Sequence, residues 1–191
     1  FYGVVNQGGK ADPIAMEWSN YLFARGGSFH DQNWNGQLNS KEALEALNDY
    51  ISMISNYGPL GAESFSFDEA FNVAAQGNAY SYLTYNWFLG SYNDPDQSSV
   101  VNKMALIPVP GEGGLNGAWG WSIPTSSPNP EAAWEFLKWV ESPDIAKRRA
   151  EMGGAATRKD VFDDPDLNAK FDHYPGLKKL LATSKNFPVF T

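Results

Sequence analysis

An α/β fold is predicted by three features of this chain. Short apolar or aromatic runs alternate with stretches whose apolar residues recur at helical spacing. Capping residues and prolines mark where those helices open, and glycine pairs mark where they stop. The chain is also 191 residues long with 42% hydrophobic side chains, enough to bury a sizeable core.

The elements follow in order. Phe1-Tyr2-Gly3-Val4-Val5 reads as a strand, and Asn6 to Ala11 as a glycine-containing loop. Asp12-Pro13 supplies an N-cap and an N1 proline for a helix carrying Ile14, Trp18, Tyr21 and Leu22, stopped by Gly26-Gly27. A polar loop with Asp31, Asn33, Trp34 and Asn35 leads to Asn39, placed to cap with Glu42 at N3. Leu44, Leu47, Ile51 and Ile54 then mark the buried stripe of a long helix ending near Gly58. Ser66 and Glu69 form a second capping box, opening a short helix through Ala70, Phe71 and Ala74 to Gly77. Ala79–Tyr85 has strand composition, and Asn86-Trp87-Phe88 follows in a turn or short helix. Lys103–Val109 and Ala118–Ile123 are further expected strands, joined by the loop Gly111–Gly117. Asn129-Pro130-Glu131 starts a helix with Ala133, Phe136, Leu137 and Val140 inward. Ser142-Pro143-Asp144 starts the next, which Gly153-Gly154 stops. Short helices are expected at Asp164-Pro165 and near Pro175.

Composition narrows the function. Fourteen basic against 22 acidic side chains give a net charge of −8, opposed to nucleic-acid binding, which needs clustered cations. No cysteine is present, so disulfides, thiol catalysis and cysteine-held metals are excluded. Two histidines, His30 and His173, lie far apart without ligand spacing. No apolar run is long enough to cross a bilayer. The excess lies in 12 Phe, 9 Tyr and 7 Trp, side chains common in ligand clefts.

The chemical motifs are few. Gly111 to Gly117 superficially suggests a phosphate cradle, but Asn stands at 116, lysine is missing and a strand is expected next. Asp12, Glu42, Glu69, Glu131, Asp144 and Asp164 sit at caps or first turns, where they answer backbone N–H groups; none nominates a catalytic pair. The positive signal is Trp87, Trp119 and Trp121 beside polar neighbours such as Asn86. A sugar offers a C–H face that packs on an indole and hydroxyls that need hydrogen bonds. Glycines around Trp119-Gly120-Trp121 leave at least one of those rings open.

In this order, "YGVVNQGG", "FDEAFNVAAQGNAYSYLTYNWFLG", "MALIPVPG", "GAWGWSIPTSSPNPEAAWEFLKWV" and "GGAATRKDVFDDP" resemble the family 1 extracellular solute-binding proteins, sugar and polyol receptors of bacterial ATP-binding-cassette importers. The resemblance spans essentially the whole chain. It implies a type II periplasmic-binding-protein-like lobe, a mixed sheet flanked by helices, with the first lobe largely missing. Residues 1–116 would form the body of the second lobe, 117–153 a returning segment normally packed on the first, and 154–191 the re-entry, ending before the usual last helices. By motif, Trp87 matches the cleft aromatic, Trp119 an aromatic that stacks on sugar, and Arg158 a position that hydrogen-bonds hydroxyls. Gln7 takes the first-loop position, where relatives can carry Arg. Trp121 ranks last, because relatives often carry an aliphatic there and packing on the opposite strand face explains it. The implied function is reversible sugar capture and delivery to permease subunits, without cofactor or metal, at the periplasmic or extracellular face of the bacterial membrane. A carbohydrate-active enzyme or its binding module is the alternative, since aromatic platforms serve those too.

Overall fold

The computed structural model describes residues 1–111, 113–171 and 173–188. Glu112 of the glycine-rich loop, and the terminal Phe190-Thr191 at which the chain was expected to stop short, lie outside the described residues. Strand β1 (Tyr2–Val5) is followed by helices α1 (Asp12–Ala24), α2 (Lys41–Tyr57) and α3 (Phe67–Ala75), then by β2 (Ala79–Tyr82) and α4 (Phe88–Tyr92). Next come β3 (Leu115–Asn116), α5 (Pro130–Val140), α6 (Pro143–Glu151), α7 (Lys159–Phe162), α8 (Pro165–Lys170), α9 (Tyr174–Thr183) and β4 (Lys185–Asn186). β1 and β2 pair in parallel with Val5 opposite Tyr82, and β3 and β4 form a second parallel pair. Where a mixed sheet was expected, the described residues hold these two parallel pairs and one antiparallel bridge, His30 to Gly36.

Among the described residues, three apolar cores hold most of the elements. Val5, Ala70, Phe71, Ala74, Ala79 and Tyr92 join β1, α3, β2 and α4. Leu22, Phe23, Ala43 and Ala46 join α1 to α2, with Trp18, Tyr21, Phe29 and Leu115 at the margin. Ala146, Ala150, Val161, Phe162, Leu167 and Tyr174 tie α6 to α7, α8 and α9.

Local signals place several ends as expected. The Ser66–Glu69 capping box is formed, and α3 stops ahead of Gly77, whose φ of 73° suits glycine. Asp164 caps α8 by accepting from the backbone N–H groups of Asp166 and Leu167.

Other expectations are corrected. Asp12 is the first residue of α1 rather than its cap; Ala11, at φ 76°, precedes it, and Asp12 acts through the helix dipole instead. Ser40, not Asn39, caps α2, its Oγ accepting from Ala43 N–H at 3.2 Å. The buried face of α2 is Ala43, Ala46 and Tyr50, while Leu44, Leu47 and Ile51 are exposed. The face turns by one residue because small alanines let α1 approach closely and Tyr50 reaches back to the Gln7 carbonyl. Strand β2 ends at Tyr82 rather than Tyr85. Lys103–Val109 and Ala118–Ile123 form no strand, since neither has a neighbouring strand to bond, and Pro108 and Pro110 lack N–H donors. No residue of α5 is buried, and Phe136, expected inward, is 49% exposed.

One close approach fixes the start of the fold. Gly8 N–H donates to Ala62 O and Gly9 N–H to Phe65 O. A Cβ on Gly8 would stand 2.6 Å from Glu63 Cα, and one on Gly9 2.6 Å from Phe65 O. The obstacle is backbone, which cannot swing away. Gly8→Ala is therefore expected to cost on the order of 1–3 kcal/mol in denaturant unfolding; an unchanged midpoint and slope would show that the 62–65 turn yields freely.

Candidate functional site

The site is built on the carboxyl ends of β1 and β2, the place where open α/β sheets hold ligands. Because Val5 pairs with Tyr82, the residues after each strand leave the sheet side by side. After β1 come Asn6 and Gln7, 0% and 2% exposed. After β2 come Tyr85, Asn86 and Trp87.

Tyr85 and Trp87 stack, with ring centroids 4.4 Å apart and planes 6° from parallel. The Tyr85 hydroxyl donates to Met16 Sδ at 3.1 Å, anchoring the pair on α1. Trp87 remains 43% exposed, so the stack is an aromatic platform open to solvent. Gly117 passes close by: a Cβ there would lie 3.3 Å from Tyr85 Cε1. That contact brings the segment carrying Trp119, 90% exposed, to the same end of the sheet. Asn86 lines a hollow of about 250 Å³ shared with Gly153–Ala156, Phe171 and Tyr174.

Beneath the platform lies a buried polar network. Asn6 Nδ2 and Gln7 Nε2 donate to the Glu17 carboxylate at 2.5 and 3.1 Å. Asn6 Nδ2 also reaches Tyr21 Oη at 3.0 Å, and the Tyr50 hydroxyl donates to Gln7 O at 2.5 Å. Burial pushes Glu17 up to about 8, against the lowering effect of its amide donors. Burial together with Glu17 pushes Tyr21 and Tyr85 up to about 12 and raises Tyr50 and Tyr82 as well. Gln7 thus faces inward, onto Glu17, and not into solvent.

Trp121 and Arg158 meet at a second place, Glu141 at the end of α5. Trp121 Nε1 donates to Glu141 Oε1 at 3.2 Å, and Arg158 Nη1 donates to the Glu141 carbonyl at 3.2 Å. Arg158 also grips Asp160 through Nε and Nη2, both at 2.9 Å; that pairing holds the guanidinium above and Asp160 below their ordinary ranges. Burial pushes Glu141 up, but hydrogen bonds from Arg149, Trp121 and Thr157 leave it lowered on balance. Trp121 is 63% exposed and meets Phe136 edge-on at 6.2 Å, consistent with surface packing on α5.

The structure therefore gathers Gln7, Asn86 and Trp87 at one sheet end, with Trp119 nearby, and Trp121 and Arg158 at Glu141. Among the described residues no hydrogen bond or ring contact joins the two groups. Sequence reasoning missed Glu17, Tyr85 and Tyr50. Glu17 had a visible sign: it lies three residues after Ile14 and four before Tyr21, an acid within an apolar stripe. Among the described residues no group of three acidic, histidine or cysteine side chains is placed to hold a metal. The arrangement offers a stacking face and neutral hydrogen-bonding groups, suited to a ligand with C–H faces and hydroxyls.

Comparison with known proteins gives this geometry its context. A family model described as bacterial extracellular solute-binding protein matches residues 2–147. A solute-binding protein of Agrobacterium radiobacter K84, solved with ribitol, superposes with a TM-score of 0.83 at 33% identity, over 96% of this chain and 48% of that one. The maltose-bound MalE3 of T. maritima gives 0.83 at 27%, over 98% and 50%. The mannitol-binding protein of Pseudomonas aeruginosa is 27% identical over 86% of this chain and 40% of its own length. A probable amino-acid ABC transporter periplasmic-binding protein of Sinorhizobium fredii is 24% identical over 92% and 41%. The chain thus spans about two-fifths to one-half of the relatives it matches. The superpositions carry the type II periplasmic-binding-protein lobe expected from the sequence.

Proposed function

The chain belongs to the bacterial extracellular solute-binding protein family, and from that premise we propose that the protein captures a sugar or polyol reversibly and presents it to the permease of an ATP-binding-cassette importer. The observation that carries this reading is the open Trp87–Tyr85 stack at the carboxyl end of β1 and β2. An indole face packs on the C–H side of a polyol, and flanking amides and hydroxyls answer its oxygens. Trp119, Asn86 and Arg158 complete the contacts, with Gln7 acting through the network beneath and Trp121 bracing α5. The protein acts outside the cytoplasmic membrane, where such receptors meet their permease, and among the described residues no helix is long and apolar enough to cross a membrane.

Two cores lying within residues 1–116 support a lobe body there, whereas the core of α6 to α9 includes Ala146 and Ala150 and so favours re-entry from α6 rather than after residue 153. α5 has no buried residue and keeps Phe136 and Trp139 exposed, which supports the stretch ahead of α6 as a segment that packs on another part of the receptor. Ligand-driven hinge closure between lobes then presents the closed form to the permease.

An amino acid is a less suitable ligand. Its carboxylate and ammonium need fixed opposite charges, and the Arg158 charge is already neutralised by Asp160, which leaves N–H donors for a hydroxyl but no free charge for a carboxylate. Calorimetry on the complete gene product with ribitol, D-mannitol, maltose, glycine and glutamate tests the choice. Binding of a polyol or sugar alone is expected; binding of an amino acid alone overturns the reading. Bound maltose should be recovered intact after long incubation, whereas cleavage that survives repurification would favour an enzyme. Trp119→Ala and Arg158→Ala should each weaken the bound probe by about tenfold, and wild-type affinity in both folded variants removes these residues from the site.

A further inference from the structure

Capture of a neutral ligand does not require a buried acid, yet one lies under the platform. Glu17 is 3% exposed and makes no ion pair among the described residues. The titratable groups around it are Tyr21 on α1, Tyr50 on α2, Tyr82 on β2 and Tyr85 beyond it, with Asp12 and Asp49 acting on those tyrosines from further out. All are neutral or negative, so no cation there compensates a carboxylate charge, which would rest on hydrogen bonds from Asn6 and Gln7 alone. Asn6 Oδ1 and Gln7 Oε1 are buried in the same network without a donor. As they stand both amides donate to Glu17 and neither carbonyl finds a donor; turning one amide over lets a neutral carboxyl donate its O–H to that carbonyl while accepting from the other amide. An ionised carboxylate only accepts and leaves both carbonyls unpaired.

We propose that Glu17 is a positioning residue of the binding edge: as a neutral carboxyl it clamps Asn6 and Gln7 and fixes the Asn6–Gly9 turn beside the platform, and its ionisation loosens that turn and weakens ligand capture. The clamp can be transmitted because the turn is tied at both ends, by Tyr50 to Gln7 O and by Gly8 and Gly9 to the 62–65 turn. Burial pushes the Glu17 carboxyl up to about 8, so ionisation falls in an accessible range. The effect on ligand rests on the receptor reading above; the effect on the turn does not.

The test uses the complete gene product as wild type, Glu17→Gln and Glu17→Ala, with ribitol, D-mannitol and maltose as probes between about pH 6.5 and 9.5. For the probe that binds, wild-type Kd is expected to rise about tenfold across that range. Glu17→Gln, which keeps a donor and an acceptor, is expected to show a flat profile, and Glu17→Ala to bind weakly throughout. In parallel, hydrogen exchange at the Gly8 and Gly9 amides, taken as the ratio of wild type to Glu17→Gln at each pH, should rise above about pH 8. Matching profiles for wild type and Glu17→Gln in either measurement overturn the proposal. If no probe binds at pH 6.5, the receptor reading fails, and the exchange ratio alone decides the role of Glu17. Should Glu17→Ala not fold, the comparison of wild type with Glu17→Gln still decides it.

Discussion

Replacing Trp87 with alanine is expected to weaken polyol or sugar binding by about 2–3 kcal/mol, roughly 30- to 150-fold. The loss has two parts. The open indole face, 43% exposed, is removed from the ligand. Tyr85 also loses the ring stacked on it at 4.4 Å, so the remaining phenol is less firmly held. Trp87→Phe separates these parts, because it keeps a stacking partner for Tyr85 while shrinking the platform; an intermediate loss is expected. Calorimetry on both variants, with unfolding curves to confirm the fold, makes the comparison. Wild-type affinity in Trp87→Ala would remove the platform from the binding site altogether.

How much of this could be read from sequence depends on how local each determinant is. The α3 capping box and the stop at Gly77 depend on residues within one or two turns, and both were legible. β3 and β4 depend on a pairing between residues about 70 positions apart, and no local pattern announces a two-residue strand. The α2 stripe misled because hydrophobicity was read as burial. The helix instead packs through Ala43 and Ala46, where closeness matters more than apolar area, and leaves its leucines exposed.

The site divides in the same way. Trp87 and Trp119 stood out as aromatics in polar, glycine-rich surroundings, and both carry exposed rings. Gln7 looked like a loop side chain facing ligand, yet it turns inward, because Glu17 one helix away offers it an acceptor. That partner becomes visible only once β1 and α1 are placed together in space. Arg158 presents the converse case: its motif position was legible, but its grip on Asp160 and on the Glu141 carbonyl was not.

Stability is expected to fall by several kcal/mol as pH rises from about 5 to 8, and Glu17→Gln is expected to abolish most of that slope. The sign follows from where the proton resides. In the unfolded chain Glu17 has its ordinary value of 4.5, while in the folded protein burial pushes it up to about 8. Between those values the folded state keeps a proton that the unfolded state has released. Raising the pH therefore favours unfolding, by up to about 1.4 kcal/mol per unit, until both states are ionised above about 8. Ion-paired carboxylates such as Asp160 and Asp164, lowered by Arg158 and Lys147, act in the opposite direction at acid pH. They are shared by wild type and variant, so they cancel in the difference. Guanidinium unfolding of both proteins at about pH 5, 6.5 and 8 gives that difference directly. It should widen in favour of the glutamine variant as pH rises, because its unfolded chain has no proton at position 17 to release and so gains nothing from the higher pH. Parallel stability curves would mean that Glu17 is solvated in the folded protein and carries its charge at neutral pH.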